Sequence, residues 1–162
     1  MFRYASYADA EEMAAIYNQA AKSGLYAISQ LAPDTRRKRM KWLDEHQGRY
    51  RAFVYENSAG VSVGWCSLSP FSLRCEYHDV AEISRYIDED HRGKGLGKLM
   101  LAHLIQVASS SGFRLLVSRI YERNVQSIKA LNQLFDRAAV MHEVASIDGE
   151  YQNEIWFYKR LH

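Results

Sequence analysis

The chain has 162 residues, 48% of them hydrophobic and 25% charged, and a formal net charge of +2. This composition and length indicate one globular domain spanning residues 1–162, large enough to bury a hydrophobic core. The charge is too small to argue for a nucleic-acid partner. No continuous apolar segment resembles a signal peptide, and no run approaches membrane-spanning length, so we expect a cytoplasmic location. Cys66 and Cys75 fit neither a disulfide framework nor a metal site and are expected to be reduced thiols.

The N-terminal region predicts a strand followed by a helix. Residues 2–5 read as a short strand, and Asp9 stands three residues before Glu12, as at the start of a capping box. Apolar residues then recur at helical spacing, at Met13, Ile16, Tyr17 and Ala20. The pattern lapses over residues 23–33, which predicts a loop containing Tyr26 and Ile28.

A strongly basic second helix is expected next, capped by Asp34. Its apolar positions are Met40 and Leu43, with Trp42 beside them. Its basic positions are Arg36, Arg37, Lys38, Arg39 and Lys41. Such a run can bind nucleic acid, but no second basic cluster or interleaved aromatics accompany it. We therefore interpret it as a solvated helix face and expect no nucleic-acid partner.

The middle of the chain predicts three strands. Residues 50–56 alternate in polarity, residues 57–60 form a turn, and residues 61–67 return as the hairpin partner. A loop with Pro70 and Phe71 leads to a strand over residues 78–87.

Two further helices and three strands complete the prediction. Leu96, Met100, Leu104 and Val107 mark one face of a helix that stops at Gly112. The apolar run at residues 113–120 indicates a buried strand parallel to the one before the helix. Asn124 can cap a helix carrying Ile128, Leu131 and Leu134, and strands over 140–147 and 151–159 form a hairpin turned by Asp148-Gly149. The result is an α/β domain with a mixed sheet.

The most informative motif joins the predicted strand at 78–87 to the helix after it. Its central residues are Arg92, Gly93, Lys94, Gly95, Leu96 and Gly97. Glycines allow close backbone approach to an anion, and the N–H groups of the helix start point at it. A P-loop is excluded because Leu99 follows Gly97-Lys98, and a dinucleotide fingerprint would need glycine at Lys98. The remaining pattern, Arg-x-x-Gly-x-Gly, resembles the pyrophosphate motif of the GNAT acetyltransferases.

The resemblance extends over essentially the whole chain. The element order is that of the GNAT (acyl-CoA N-acyltransferase) fold, a mixed, mostly antiparallel sheet with a parallel central pair flanked by helices. Several segments are similar to the phosphinothricin/methionine sulfoximine acetyltransferase branch: residues 11–18, 69–71, 77–86, 92–97, Asn124 with Ser127-Ile128, and Glu143-Val144. The resemblance implies acetyl-CoA as co-substrate, a small-molecule amine as acceptor, no metal, and a homodimer as one assembly to consider.

Glu82 is the candidate general base, because it lies on the strand that leads into the glycine turn and matches the family's glutamate. The resemblance implies that Arg85, Tyr86 and Ile87 pair with the pantetheine arm and present an N–H to the thioester oxygen. Asn124 matches a helix-capping residue that also holds the pantetheine amide, with Ser127 nearby.

Substrate-binding candidates follow from the same resemblance. Arg74 lies in the loop that approaches the substrate carboxylate in amino-acid-acetylating relatives, and guanidinium groups suit carboxylates. Phe71 and Tyr77, with Tyr26, are candidate pocket walls or core residues. His91 is interpreted as a turn residue, and no cluster with ligand spacing indicates a metal.

The sequence departs from the family at three places, one of which is Phe135-Asp136 in place of the Gly-Phe that usually ends the helix capped by Asn124. Leu131 stands where relatives carry a Tyr or His that protonates the leaving thiolate, and Arg85 replaces a small aliphatic residue. By strand alternation Arg85 points away from Glu82 and, if buried, needs a partner. The leading hypothesis is acetyl transfer to the primary amine of a small amino-acid-like molecule. The alternatives are acetylation of a protein or peptide N-terminus or of an antibiotic amine, and a degenerate acyl-CoA-binding module without turnover.

Overall fold

A computed structural model describes residues 1–23, 33–147 and 149–161 of the chain. Its centre is a seven-stranded sheet in the order β1-β2-β3-β4-β5-β7-β6, in which β4 and β5 are parallel and the other neighbours antiparallel. The strands are β1 (Phe2–Tyr4), β2 (Ala52–Glu56), β3 (Ser62–Pro70), β4 (Val80–Ile87), β5 (Leu115–Tyr121), β6 (Asp136–Ile147) and β7 (Glu150–Arg160). This confirms the predicted mixed, mostly antiparallel sheet and its parallel pair.

In the described part of the chain, four α-helices cover the two faces of the sheet. They are α1 (Ala10–Lys22), α2 (Arg36–Asp44), α3 (Leu96–Ser110) and α4 (Val125–Leu131), and the element order matches the prediction. One core lies under α3 and α4, around Met100, Leu104 and Leu131. A second lies under α1 and α2, around Met13, Val54 and Trp65. The apolar stripes of the helices therefore close both sheet faces.

The parallel pair β4 and β5 separates along its length. The recorded register joins Val80 to Leu115, Ala81 to Leu116 and Glu82 to Val117, and it continues no further. Past Glu82, β4 stays paired with β3 as far as Ile87, and β5 stays paired with β7. A gap thus opens at the carboxyl ends of two parallel strands, where ligands of open α/β sheets commonly bind.

The structure corrects two predictions at the start of α2. Thr35, not Asp34, is the N-cap, and its hydroxyl accepts the Lys38 N–H at 3.3 Å. Asp34 instead forms a buried ion pair with Arg39. The prediction of a wholly solvated basic face is therefore wrong at Arg39, whose guanidinium lies 4.7 Å from the Trp42 ring and 4.6 Å from the Trp65 ring. A cation stacked on aromatic rings and paired with a carboxylate can be buried.

Other differences concern element ends. The capping box before α1 is formed by Ser6 and Asp9 and not by Asp9 and Glu12. The Asp9 carboxylate accepts hydrogen bonds from the Ser6 N–H at 2.8 Å and from the Ser6 hydroxyl at 2.9 Å. Some elements are shorter than predicted, so that His78, Phe113 and Leu134 lie outside the strands and helix in which the sequence placed them. Pro70, predicted in a loop, is the last residue of β3. Tyr26, Ile28 and Asp148 lie outside the described residues, while Gly149 has the positive φ of +83° expected in the β6–β7 turn.

Candidate active site

A cavity of about 600 Å³ occupies the gap between β4 and β5. Glu82 lies at its β4 side, the glycine turn before α3 forms one end, and the start of α4 forms another wall. The predicted site residues that line it are Glu82, Arg85, Tyr86, Ile87, Arg92, Gly93, Gly95, Gly97, Asn124 and Ser127. The fold therefore brings the candidate base and most of the candidate cofactor residues to one cavity.

The glycine turn leaves open space above a helix start. Gly93 and Gly95 have φ values of +75° and +84°, and a Cβ built on either one meets no atom within 4 Å. Within the described part of the chain, no protein acceptor is recorded for the N–H groups of Gly93, Gly95 or Gly97. Unpaired N–H groups at the N-terminus of a helix bind anions. These groups fit the diphosphate of an acyl-CoA.

Three other residues of the motif hold the turn in place. Arg92 Nε donates to the Ile87 carbonyl at 3.0 Å, and Lys94 Nζ donates to the Asp90 carbonyl at 2.8 Å. Leu96 is buried in the core beneath α3. Lys94 and Leu96 do not line the cavity.

The edge of β4 that faces β5 offers backbone groups to the cavity. Because pairing with β5 stops at Glu82, alternate N–H and C=O groups of residues 83–87 have no strand partner on that side. An extended amide-bearing ligand can add to such an edge as a strand does. This geometry fits a pantetheine arm.

The carboxylate of Glu82 is held by Arg119 on β5. Arg119 Nε donates to Oε1 and Nη2 donates to Oε2, each at 2.9 Å. The Glu82 side chain is 20% exposed and that of Arg119 is 40% exposed. Hydrogen bonding to Glu82 raises the pKa of Arg119, and the charge of Glu154 adds to this effect while burial opposes it. The candidate base is thus fixed in orientation by a charge-assisted, two-point contact.

Arg85 lies on the opposite face of β4, between α3 and α4. Its Nη2 donates to the Ser127 hydroxyl at 2.6 Å and to the Ser127 carbonyl at 3.3 Å. Its Nη1 would lie 2.7 Å from a Cβ at Gly97. Burial lowers the pKa of Arg85 to about 10. Among the described residues it has no carboxylate partner, so a partly desolvated cation stands beside the glycine turn.

Asn124 caps α4 as predicted. Its Oδ1 accepts the Ser127 N–H at 3.1 Å, and its side chain is buried at the cavity wall. Leu131, one turn after Ser127 on α4, is 0% exposed and belongs to the core. No acid can act from position 131.

The three predicted substrate residues lie outside the cavity lining. Arg74 is exposed, and among the described residues its side chain has no hydrogen bond or ion pair recorded. Phe71 and Tyr77 form an edge-to-face pair at 5.4 Å, and Phe71 also meets Trp156 at 6.1 Å. The centroid of the Trp156 ring in turn lies 5.6 Å from the Cζ atom of Arg119, in a cation–π contact. Phe71 and Tyr77 are therefore connected to the Glu82 end of the cavity through one tryptophan.

Sequence reasoning did not identify Arg119, Glu154 or Trp156. Arg119 is a charged residue within the apolar segment of β5, two positions after Val117, the register partner of Glu82. Residues two apart share a face of a strand, so this spacing was the available signal. Glu154 and Trp156 pair with Tyr121 and Arg119 across β5 and β7, a relationship that only the topology reveals.

The described residues contain no group of three or more His, Cys, Asp or Glu side chains arranged to hold a metal ion. Within them, no helix is both long and apolar enough to cross a membrane. Cys66 is buried, Cys75 is exposed, and both thiols are free.

Comparison with known proteins identifies the family. The acetyltransferase (GNAT) domain family matches residues 1–134. The L-methionine sulfoximine/L-methionine sulfone acetyltransferase of Pseudomonas paraeruginosa is 32% identical over 152 residues, covering 92% of this chain and 87% of that protein. YncA from Salmonella typhimurium, solved with its cofactor acetyl-CoA, has a TM-score of 0.92 at 28% identity and covers 100% of this chain and 94% of its own.

Ribosomal-protein-alanine N-acetyltransferase from Brucella melitensis is equally similar in structure. It has a TM-score of 0.93 at 28% identity, with 99% of both chains covered. These matches confirm the predicted fold and the prediction of an acetyltransferase enzyme. The chain belongs to the GNAT acetyltransferase family.

Proposed function

We propose that this acetyltransferase moves the acetyl group of acetyl-CoA to the primary amine of a small amino-acid-like molecule, by direct attack within a ternary complex. The observation that carries the proposal is the placement of Glu82. It is the last residue of β4 paired with β5, and it lines the same cavity as the glycine turn. A carboxylate and a diphosphate-type anion site thus share one opening.

Acetyl-CoA is proposed to lie along β4 with its diphosphate at the turn. The backbone N–H groups of residues 93–97 and the side chain of Arg92 would hold the diphosphate. Arg85 supplies a further cation beside Gly97, and an anionic ligand would offset the cost of burying it. Asn124 and Ser127 at the start of α4 would hold the pantetheine amide. The residues present therefore fit this co-substrate.

The thioester supplies an activated acetyl group. The free N–H groups on the β4 edge, from Arg85 to Ile87, are proposed to stabilise the negative charge that develops on the carbonyl oxygen. Glu82 is proposed to accept a proton from the substrate ammonium, directly or through one water, so that the neutral amine can attack the thioester carbonyl. Arg119 keeps the Glu82 carboxylate oriented through two hydrogen bonds. Because Arg119 already occupies one edge of the Glu82 carboxylate, the substrate amine must approach this carboxylate from a side that the guanidinium leaves open.

The leaving thiolate receives no proton from α4, because Leu131 is apolar and buried. A thiolate is a good leaving group, since the reference pKa of a thiol is about 8.5. Turnover therefore does not require a dedicated acid. Water in the open cavity is the proposed proton source.

The acceptor class rests on the relatives and the surrounding side chains. The Pseudomonas relative is named for L-methionine sulfoximine and L-methionine sulfone, which are amino acids with a polar side chain. Phe71 and Tyr77 are proposed to form the outer wall for such a side chain. A carboxylate contact by Arg74 stays a prediction, as do a cytoplasmic location and a homodimer.

A protein N-terminus is the second candidate acceptor. The structural similarity to a ribosomal-protein-alanine N-acetyltransferase is as high as to YncA. A shared fold does not by itself fix the substrate, so similarity of fold does not select between the two candidate acceptors.

The proposal is tested by a CoA-release screen with free amino acids, methionine sulfoximine, phosphinothricin, polyamines and short peptides, alongside thermal stabilisation by acetyl-CoA. Release with amino acids, lost in Glu82→Gln, supports the proposal. Release only with peptides selects the second candidate. Stabilisation by acetyl-CoA without release from any amine would indicate a binding module and overturn the proposal.

A further inference from the structure

The guanidinium of Arg119 uses only part of its hydrogen-bonding capacity. The contact with Glu82 uses Nε and one hydrogen of Nη2. A guanidinium carries five N–H donors in a planar fork, so both hydrogens of Nη1 and the second of Nη2 are left over. No acceptor for Nη1 is recorded in the described part of the chain. The side chain is 40% exposed and lines the cavity.

A second carboxylate, that of Glu154, lies at the same end of the cavity. Glu154 on β7 pairs in register with Tyr121 on β5, lines the cavity, and is close enough to raise the pKa of Arg119. Within the described residues it forms no ion pair. The cavity lining therefore carries one guanidinium and two carboxylates on this part of β4, β5 and β7.

This charge pattern is complementary to a zwitterion. In an α-amino acid the ammonium and carboxylate groups are attached to the same carbon atom. A carboxylate bound to the free Nη1/Nη2 edge of Arg119 would bring the ammonium beside Glu82 and Glu154. Guanidinium groups bind carboxylates in this two-point manner, and a fixed geometry next to the base promotes reaction.

We infer that Arg119 is the residue that binds the acceptor's carboxylate, and that it positions the α-amine against Glu82. The inference rests on the proposed function and narrows its acceptor to free α-amino acids. Arg119 then has two simultaneous partners, Glu82 on its Nε side and the substrate on its Nη1 side. The cation–π contact with the Trp156 ring, at 5.6 Å from its centroid, helps to hold the guanidinium in place.

The inference also explains how one fold would exclude a peptide acceptor. The first residue of a peptide has an amide in place of the α-carboxylate, so the free edge of Arg119 would stay without an anionic partner. A site built to bind a charged group discriminates strongly against a ligand that lacks it. The inference gives this role to Arg119 in place of Arg74, the residue predicted from the sequence, because Arg74 is exposed and outside the cavity lining.

The test compares two acceptors, L-methionine sulfone and its α-carboxamide, in the full-length wild type and in Arg119→Ala and Arg119→Lys. The measured quantity is the ratio of kcat/KM for the two acceptors. Comparing this ratio between variants cancels the different basicity of the two amines. Arg114→Ala is the matched control, because Arg114 forms an ion pair with Asp79 at 2.9 Å outside the cavity.

The ratio should fall roughly 10- to 100-fold in Arg119→Ala, the scale of a lost charge-assisted hydrogen bond. The loss should lie mainly in KM of the sulfone, Arg119→Lys should recover part of it, and Arg114→Ala should keep the wild-type ratio. Removing Arg119 also changes the surroundings of Glu82, but that change affects both acceptors and leaves the ratio unaltered.

An unchanged ratio in both Arg119 variants would overturn the inference while leaving the proposed function intact. If the wild type acetylates peptides but no free amino acid, the proposed acceptor class and this inference are both wrong. Thermal unfolding with and without acetyl-CoA shows whether each variant is folded. Should Arg119→Ala not fold, Arg119→Lys and Arg119→Gln provide the same comparison.

Discussion

Arg85 on β4 donates from Nη2 to the Ser127 hydroxyl on α4 at 2.6 Å, and both residues line the cavity. A neutral hydroxyl does not compensate a buried charge as a carboxylate does. Burial accordingly lowers the pKa of Arg85 to about 10. The free protein therefore keeps a costly cation at the place where we propose that an anion binds.

Replacing Arg85 by Met should lower the affinity for acetyl-CoA without lowering the stability of the free protein. The free variant should unfold at the wild-type temperature or above it, because the desolvated cation is gone and Met fills a similar volume. Its affinity for acetyl-CoA should fall roughly 10-fold, the scale of one hydrogen bond to a charged group. Calorimetry and thermal unfolding measure the two effects, with Arg114→Met as the control. Equal affinity in Arg85→Met and wild type would contradict the proposed contact with the diphosphate.

Gly95→Asp should abolish stabilisation by acetyl-CoA, because it puts a negative charge and a Cβ where the diphosphate is proposed to lie. A ligand bound only by the native state raises the unfolding temperature by mass action, so thermal unfolding measures the loss. Gly95→Asn tests the added side chain and the φ of +84° without the charge, because Asn is nearly isosteric with Asp and neutral.

Gly60→Asp is the matched control for that substitution. Gly60 also has a positive φ, +75°, and open space around its Cβ position, but it lies in the β2–β3 turn. This variant should lose some stability and keep the full response to acetyl-CoA. If Gly95→Asp retained the response as well, the turn would not be the binding site.

Glu82→Gln should keep acetyl-CoA binding and lower turnover by about 10²-fold or more at neutral pH, as expected for loss of a general base. The deficit should shrink as pH rises, because more of the amine is already deprotonated. A pH profile of kcat/KM for both proteins measures this. Glu56→Gln is the control, since Glu56 pairs with Arg3 at 2.7 Å away from the cavity. Equal activity of Glu82→Gln and wild type at neutral pH would remove Glu82 from the mechanism.

Local patterns were sufficient to predict the order of elements and the position of the glycine turn. The helices α1 and α3 show apolar residues at helical spacing, and the strands β2 and β3 alternate in polarity. These patterns involve only residues close in sequence, so a single sequence is enough to see them. The exact cap of α2 was not predictable, because Asp34 and Thr35 are adjacent and both are common caps. Only the fold gives Asp34 a buried partner in Arg39.

The ion pairs of the site were less predictable, because their partners are distant in sequence and meet only in the fold. Glu82 and Arg119 are 37 residues apart in sequence and meet only because β4 and β5 are parallel neighbours. The resemblance suggested Glu82 but contained no information about Arg119. Likewise, strand alternation predicted that Arg85 points away from Glu82, whereas its partner Ser127 depends on where α4 packs.

Leu131→Tyr tests whether the absent acid matters. Leu131 is 0% exposed within the core, so a larger side chain should cost about 1–3 kcal/mol of stability. Turnover should gain at most modestly, because a thiolate with a reference thiol pKa of about 8.5 leaves without a dedicated donor. Leu104→Tyr, at an equally buried position on α3, controls for overpacking alone. Steady-state CoA release and thermal unfolding measure the two effects. If the wild type were inert towards every amine and Leu131→Tyr became active, the natural chain would be a degenerate acyl-CoA binder and the proposed turnover would be wrong.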